Sequence, residues 1–215
     1  MNFLKRVTLV LSKALICGST FLCVSSFAQE SNILDTVSPK LRQFVITHPG
    51  ALQLLTNTLS EAFNGRTVQL YYFYSEDKVA ARAYHYYPSE SVVGICIREN
   101  QEPSDEFACL IFEMLNSEGE KRFQEFYHKA ESGDISKTNF AREMLNVEFV
   151  AVKSTGNLLH NLKFSKKEIS ESYYYKRFIE CPDSFEDFIS YSVKVSSHGD
   201  PIKEFETKYD SLRKP

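Results

Sequence analysis

The sequence predicts an α+β fold: a small three-stranded sheet packed on a mainly helical domain. Two observations carry this. Residues 67–98 hold three short runs rich in β-branched and aromatic side chains, separated by turn residues. From residue 104 onward the apolar residues recur at helical spacing, with capping residues and breakers between the segments.

The elements follow in order. Ser38-Pro39 pairs an N-cap residue with proline at the first helical position and opens a short helix to about Val45. His48-Pro49-Gly50 stops it. Leu52, Leu55, Leu59, Ala62 and Phe63 mark a second helix that ends at Asn64-Gly65. The strands are Val68–Tyr74, Ala80–Tyr87 and Val92–Ile97, arranged at least in part as a meander. Ser104 caps a helix that begins Asp105-Glu106 and runs through about Leu115. Further helices cover about Lys121–Glu131 and Lys137–Leu159. Ser165 and Glu168 form a capping box for the next, and Ser184 with Asp187 opens another. The tail from Pro201 holds a last short helix.

The N-terminus has the three parts of an export signal. Lys5 and Arg6 are its positive region, Leu9–Val24 is mostly apolar, and Ser26-Phe27-Ala28 places small residues at −3 and −1 of a cleavage site before Gln29. Residues 1–28 are therefore expected to be a signal peptide, residues 29–37 a flexible start, and residues 38–215 one α+β globular domain. The alternative is an N-terminal membrane anchor, because Val7–Phe27 can span a bilayer if Lys13 snorkels. The expected location is periplasmic or extracellular, with no membrane contact once the leader is cleaved.

Loss of the leader removes Lys5, Arg6 and Lys13, leaving 22 basic against 28 acidic residues. A domain of net charge −6 without a basic cluster is poorly suited to nucleic acid. Lys163-Phe164-Ser165-Lys166-Lys167 reads as a solvated helix start. Cys96, Cys109 and Cys181 are an odd set with no C-x-x-C, so neither a disulfide framework nor a zinc knuckle is expected. The aromatic clusters Tyr71–Tyr74, Tyr84–Tyr87 and Tyr173–Tyr175 could stack on sugars or peptides, but strand and helix packing accounts for them equally.

Two carboxylates stand where carboxylates are costly. Phe107–Leu115 is apolar at eight of nine positions, which marks a buried helix, and Glu113 is the exception. In the long helix, at about 100° per residue, Ala141, Met144, Leu145, Ala151 and Val152 all fall within about 60° of Glu148. Glu148 therefore sits mid-stripe on the buried face, whereas Glu143 points to solvent. Each Glu could simply reach a backbone donor or a Tyr hydroxyl. The sharper expectation is that Glu113 and Glu148 converge on one site with Asn116 beside them.

This plan resembles that of zincin-type metallopeptidases: strands, a buried helix with an internal Glu, then a second helix with an inward Glu. Their first helix carries His-Glu-x-x-His, in which two His bind zinc and the Glu activates water. Phe112-Glu113-Met114-Leu115-Asn116 resembles that motif with Glu113 at the general-base position and both His replaced. Glu148 would match a third-ligand position. The resemblance spans roughly residues 67–152 and implies a degenerate relative with a zincin-like core, no metal and no cofactor. It further implies a non-catalytic role, binding an unknown protein, peptide or glycan or serving as a structural factor. One alternative is a hydrolase using Glu113 and Glu148 directly, for example on a glycan, with the carboxyls about 5–9.5 Å apart in an open cleft. Another is an α+β interaction domain unrelated to zincins.

Overall fold

A computed structural model describes residues 5–8, 34–48, 50–62, 66–74, 83–162, 164, 172–195 and 199–213. It is a mixed α+β fold. The chain order is β1 (Lys5–Thr8), α1 (Pro39–Thr47), α2 (Ala51–Ala62), β2 (Thr67–Phe73), β3 (Ala83–Ser89), β4 (Val92–Arg98), α3 (Pro103–Ser117), α4 (Glu120–Ser132), α5 (Lys137–His160), α6 (Tyr173–Ile179), α7 (Phe185–Val195) and α8 (Pro201–Leu212).

The three main strands lie in the order β2-β4-β3. β3 and β4 form an antiparallel hairpin, in register at Tyr84↔Cys96 and His85↔Ile95. β2 and β4 are parallel, with Leu70 opposite Ile95. The meander therefore holds for β3–β4 only, because β2 skips its sequence neighbour and pairs with the strand after it. Burial explains the order. β4, mostly β-branched, is buried along its length and takes the centre; β3 alternates half-buried and exposed residues and takes an edge. Its register slips after Tyr86, beside Pro88, where proline costs no central ladder bond. β1, from the stretch expected to be a leader, pairs antiparallel with β2.

Pairing and pleat put Val68, Leu70, Val93, Ile95 and Ile97 on one face, and these join the main core. α3 lies in that core and is buried almost all round, as its run of apolar residues requires. A second, smaller core joins Phe123 and Phe126 of α4 to Phe140, Met144 and Val147 of α5, and Tyr209 of α8 packs on it. Gly156 lets α6 approach α5, since a Cβ there would lie 2.2 Å from the Phe178 carbonyl oxygen.

Two local expectations are corrected. Glu102, not Ser104, is the N-cap of α3, and Pro103 takes the first position. The folded part also starts before residue 38: residues 34–36 make a helical turn, and Thr36 and Val37 are buried. The cleavage site, the capping box at Ser165 and Glu168, and the basic residues Lys163, Lys166 and Lys167 lie outside the described residues.

Candidate functional site

α3 carries three buried acids, and their partners differ. Asp105 and Glu106 sit in the first turn, where the helix dipole favours negative charge. Asp105 accepts from the Ser172 hydroxyl and from the Tyr175 N–H at 3.3 Å, which ties it to the start of α6. Glu106 accepts from the Tyr72 hydroxyl and the Ser38 hydroxyl, both at 2.8 Å. Ser38 in turn caps α1 by accepting from the Leu41 N–H, and its own N–H donates to the Tyr72 oxygen. Burial raises the Glu106 pKa and the two hydroxyls partly offset it; the same burial, with the Glu106 charge, holds the Tyr72 phenol well above its usual range.

Glu113 sits two turns further along, 5 % exposed. Its carboxylate meets His85 Nδ1 at 2.7 Å. His85 reaches it because alternation on β3 puts Ala83, His85 and Tyr87 on the face toward the helices. Tyr87 follows the same rule and donates its hydroxyl to the Ser117 carbonyl at 2.7 Å. One position earlier on α3, the Phe112 ring stacks on Phe178 of α6, centroids 5.1 Å apart.

Glu148 projects from the buried stripe of α5, where Ala141, Met144, Leu145, Ala151 and Val152 are all buried as the helical spacing requires. Glu143 pairs loosely with Arg122 on the surface, 4.0 Å away. Burial pushes the Glu148 carboxyl up to about 7; nearby Glu113 and Glu204 raise it, while Arg177 and His85 pull it down. The charge of Glu113 is one of the influences that raise the carboxyl of Glu148, a residue that is half-buried, and Glu113 makes its hydrogen-bonded contact with His85. Asn116 is 7 % exposed and on the same helix as Glu113, but its Oδ1 has no hydrogen-bond partner among the described residues.

Three participants escape the sequence reading. His85 is legible in principle, as an inward position of an alternating strand preceding a buried helix with an internal acid. Asp105 and Glu106 are harder to see, because first-turn acids already have a sufficient explanation in the helix dipole. Among the described residues, no group of three or more His, Cys, Asp or Glu side chains is arranged to hold a metal ion. No helix among them is long and apolar enough to cross a membrane.

The arrangement can hold a proton. The Glu148 carboxyl, pushed up to about 7, lies near the His85–Glu113 contact and can take up or release a proton near neutral pH. Comparison with protein-family models, with curated proteins and with solved structures finds no match.

Proposed function

We propose that the protein is an exported, non-catalytic domain with a zincin-like core and a lost metal site. It acts outside the cytoplasm by binding a protein, peptide or glycan, or as a structural factor. The observation that carries this reading is the fate of the Phe112-Glu113-x-x-Asn116 segment. Phe112, where a first ligand would stand, is stacked on Phe178, and the Glu113 carboxylate is taken by His85. A phenyl ring has no lone pair, and the Asn116 carboxamide replaces the second imidazole. These residues do not fit zinc, which needs nitrogen, sulfur or carboxylate donors at four corners or three with water.

The hydrolase alternative draws on one observation, the Glu148 carboxyl near neutrality beside a second acid. It requires Glu113 to reach substrate, whereas that carboxylate is buried against His85.

The test uses purified protein. Elemental analysis should find no stoichiometric zinc, and peptidase and glycosidase assays should give the same background for the wild type and Glu113→Gln. One equivalent of zinc, lost in Asn116→Ala or Glu148→Ala, overturns the reading. Mass spectrometry of the native extracytoplasmic protein should find its N-terminus at Gln29; an intact Met1 form in membranes overturns the export part.

A further inference from the structure

The turn from α3 to α4 closes against α5 around a half-open cleft of about 180 Å³. Its lining combines apolar wall with a few polar groups. Leu115, Val147, Val150 and Ala151 supply the wall, and Val150 is a large apolar side chain left exposed. Asn116 is a lining residue that is more than nine-tenths buried, and its Oδ1 is unpartnered among the described residues. Arg122 stands at the rim, 4.0 Å from Glu143 and so beyond hydrogen-bonding distance, with both side chains nearly half exposed. Glu118, of opposite sign, lines the same rim.

Buried unsatisfied polar atoms are rare in native proteins, and each one calls for an explanation. Gly119 keeps the cleft narrow: a Cβ there would lie 2.4 Å from Val147 Cγ1, so the turn packs against α5 only with glycine. At about 30 Å³ per water, the space holds roughly six waters, the scale of a single branched amino acid.

We propose that this cleft binds a free aliphatic α-amino acid as its zwitterion. The ligand carboxylate takes Arg122, whose weak pairing with Glu143 costs little to exchange. The ligand ammonium donates to Asn116 Oδ1 on the Glu118 side, and the side chain lies on Val147, Val150 and Ala151. The lining carries one formal charge of each sign, which matches a zwitterion and disfavours a lone anion or cation. This goes beyond the proposed function, which is decided by zinc and hydrolase assays and survives if the cleft stays empty.

Isothermal titration of the full mature chain with L-leucine tests it. L-leucine should bind saturably, while leucinamide, N-acetyl-L-leucine and isovalerate should bind about tenfold more weakly or not at all, since each lacks one charged end. Arg122→Gln should lower L-leucine affinity by about tenfold or more, while Arg142→Gln, earlier on α5 than the cleft residues and paired with Glu186, should leave it unchanged. Circular dichroism confirms that both variants fold. Absence of L-leucine binding, equal binding of a one-charge analogue, or an Arg122→Gln variant that binds normally overturns the proposal.

Discussion

At its N-terminal end, α3 buries Asp105 and Glu106 against hydroxyl and amide donors from α1, β2 and α6. At its C-terminal end it buries Glu113 against one imidazole, and the carboxamide of Asn116 is left without a partner for its oxygen. The first arrangement is what stability alone selects. Its donors are hydroxyls and a backbone amide, they include the caps of two helices, and each acid joins elements far apart in sequence. The second is not optimised in that way. Its partner is a single imidazole, burial pushes the neighbouring Glu148 carboxyl up to about 7, and a polar atom is without a hydrogen bond among the described residues. Departures from local consistency of this kind concentrate at functional or formerly functional sites. The two ends of one helix therefore separate polar groups that build the fold from polar groups that the fold tolerates.

The largest effects should come from the N-terminal end. Asp105 is 2 % exposed and Glu106 4 %. Asp105→Ala leaves the buried Ser172 hydroxyl without its acceptor and removes the tie to the α6 cap, while the Tyr175 N–H keeps Ser172 Oγ; Glu106→Ala leaves the Tyr72 hydroxyl without its acceptor. Each should destabilise by about 2–4 kcal/mol in urea titrations, the range for leaving buried donors unpaired beside a new cavity. A loss below 1 kcal/mol at both positions would break the contrast, because these acids would then be tolerated too.

Glu148 should give the next largest effect, with a sign that depends on pH. Its folded pKa of about 7 lies above the ordinary Glu value of about 4.3. The folded state therefore binds the extra proton between those values. The stability associated with it is intact below about pH 4.3 and is lost as pH rises through 7. Glu148→Gln removes the penalty. It should be more stable than the wild type at pH 8 by roughly 1–3 kcal/mol and no more stable at pH 4.5. The groups facing Glu148 are Glu113, His85, Arg177 and Glu204. A flat difference between the two pH values would show that Arg177 cancels the burial.

Much of this contrast was readable from sequence, and the unreadable part has a physical cause. Periodicity pointed to Glu113 because a lone acid in an apolar run is visible without tertiary structure, and the structure buries it; Glu148 lies on the apolar stripe of α5 but is only half-buried. Strand texture likewise located β2, β3 and β4, and the continuous apolar run of β4 against the alternation of β3 fits a centre and an edge. The parallel sense of β2 beside β4 depends on where the chain crosses over, which side-chain pattern does not encode. Partners were hidden for the same reason. His85 lies 28 positions from Glu113, and Ser172 lies 67 from Asp105. Nothing local distinguishes an acid that a distant hydroxyl will satisfy from one that faces water at a helix start.

Glu113→Gln should have a smaller effect, about 1–2 kcal/mol of destabilisation. The variant keeps the shape and one acceptor oxygen toward His85 but gives up the charge-assisted contact. His85→Ala should cost more than Glu113→Gln, because it leaves the carboxylate buried and unpaired. The reverse ranking would mean that Glu113 is held by donors other than His85.

The smallest effect should be at Asn116. Its Oδ1 is buried and makes no hydrogen bond among the described residues, so removing it forfeits no bond and relieves a desolvated dipole. Asn116→Leu replaces the carboxamide by an apolar group of similar size, next to Leu115, Val147 and Ala151 in the cleft wall. It should change stability by less than about 0.5 kcal/mol, or raise it, even though the site is as buried as many core positions. Set against the losses at Asp105 and Glu106, that outcome would place the two ends of α3 at opposite extremes. A loss of about 2 kcal/mol would instead show that the amide nitrogen donates to a neighbouring carboxylate, and Asn116 would then join the residues that hold the fold together.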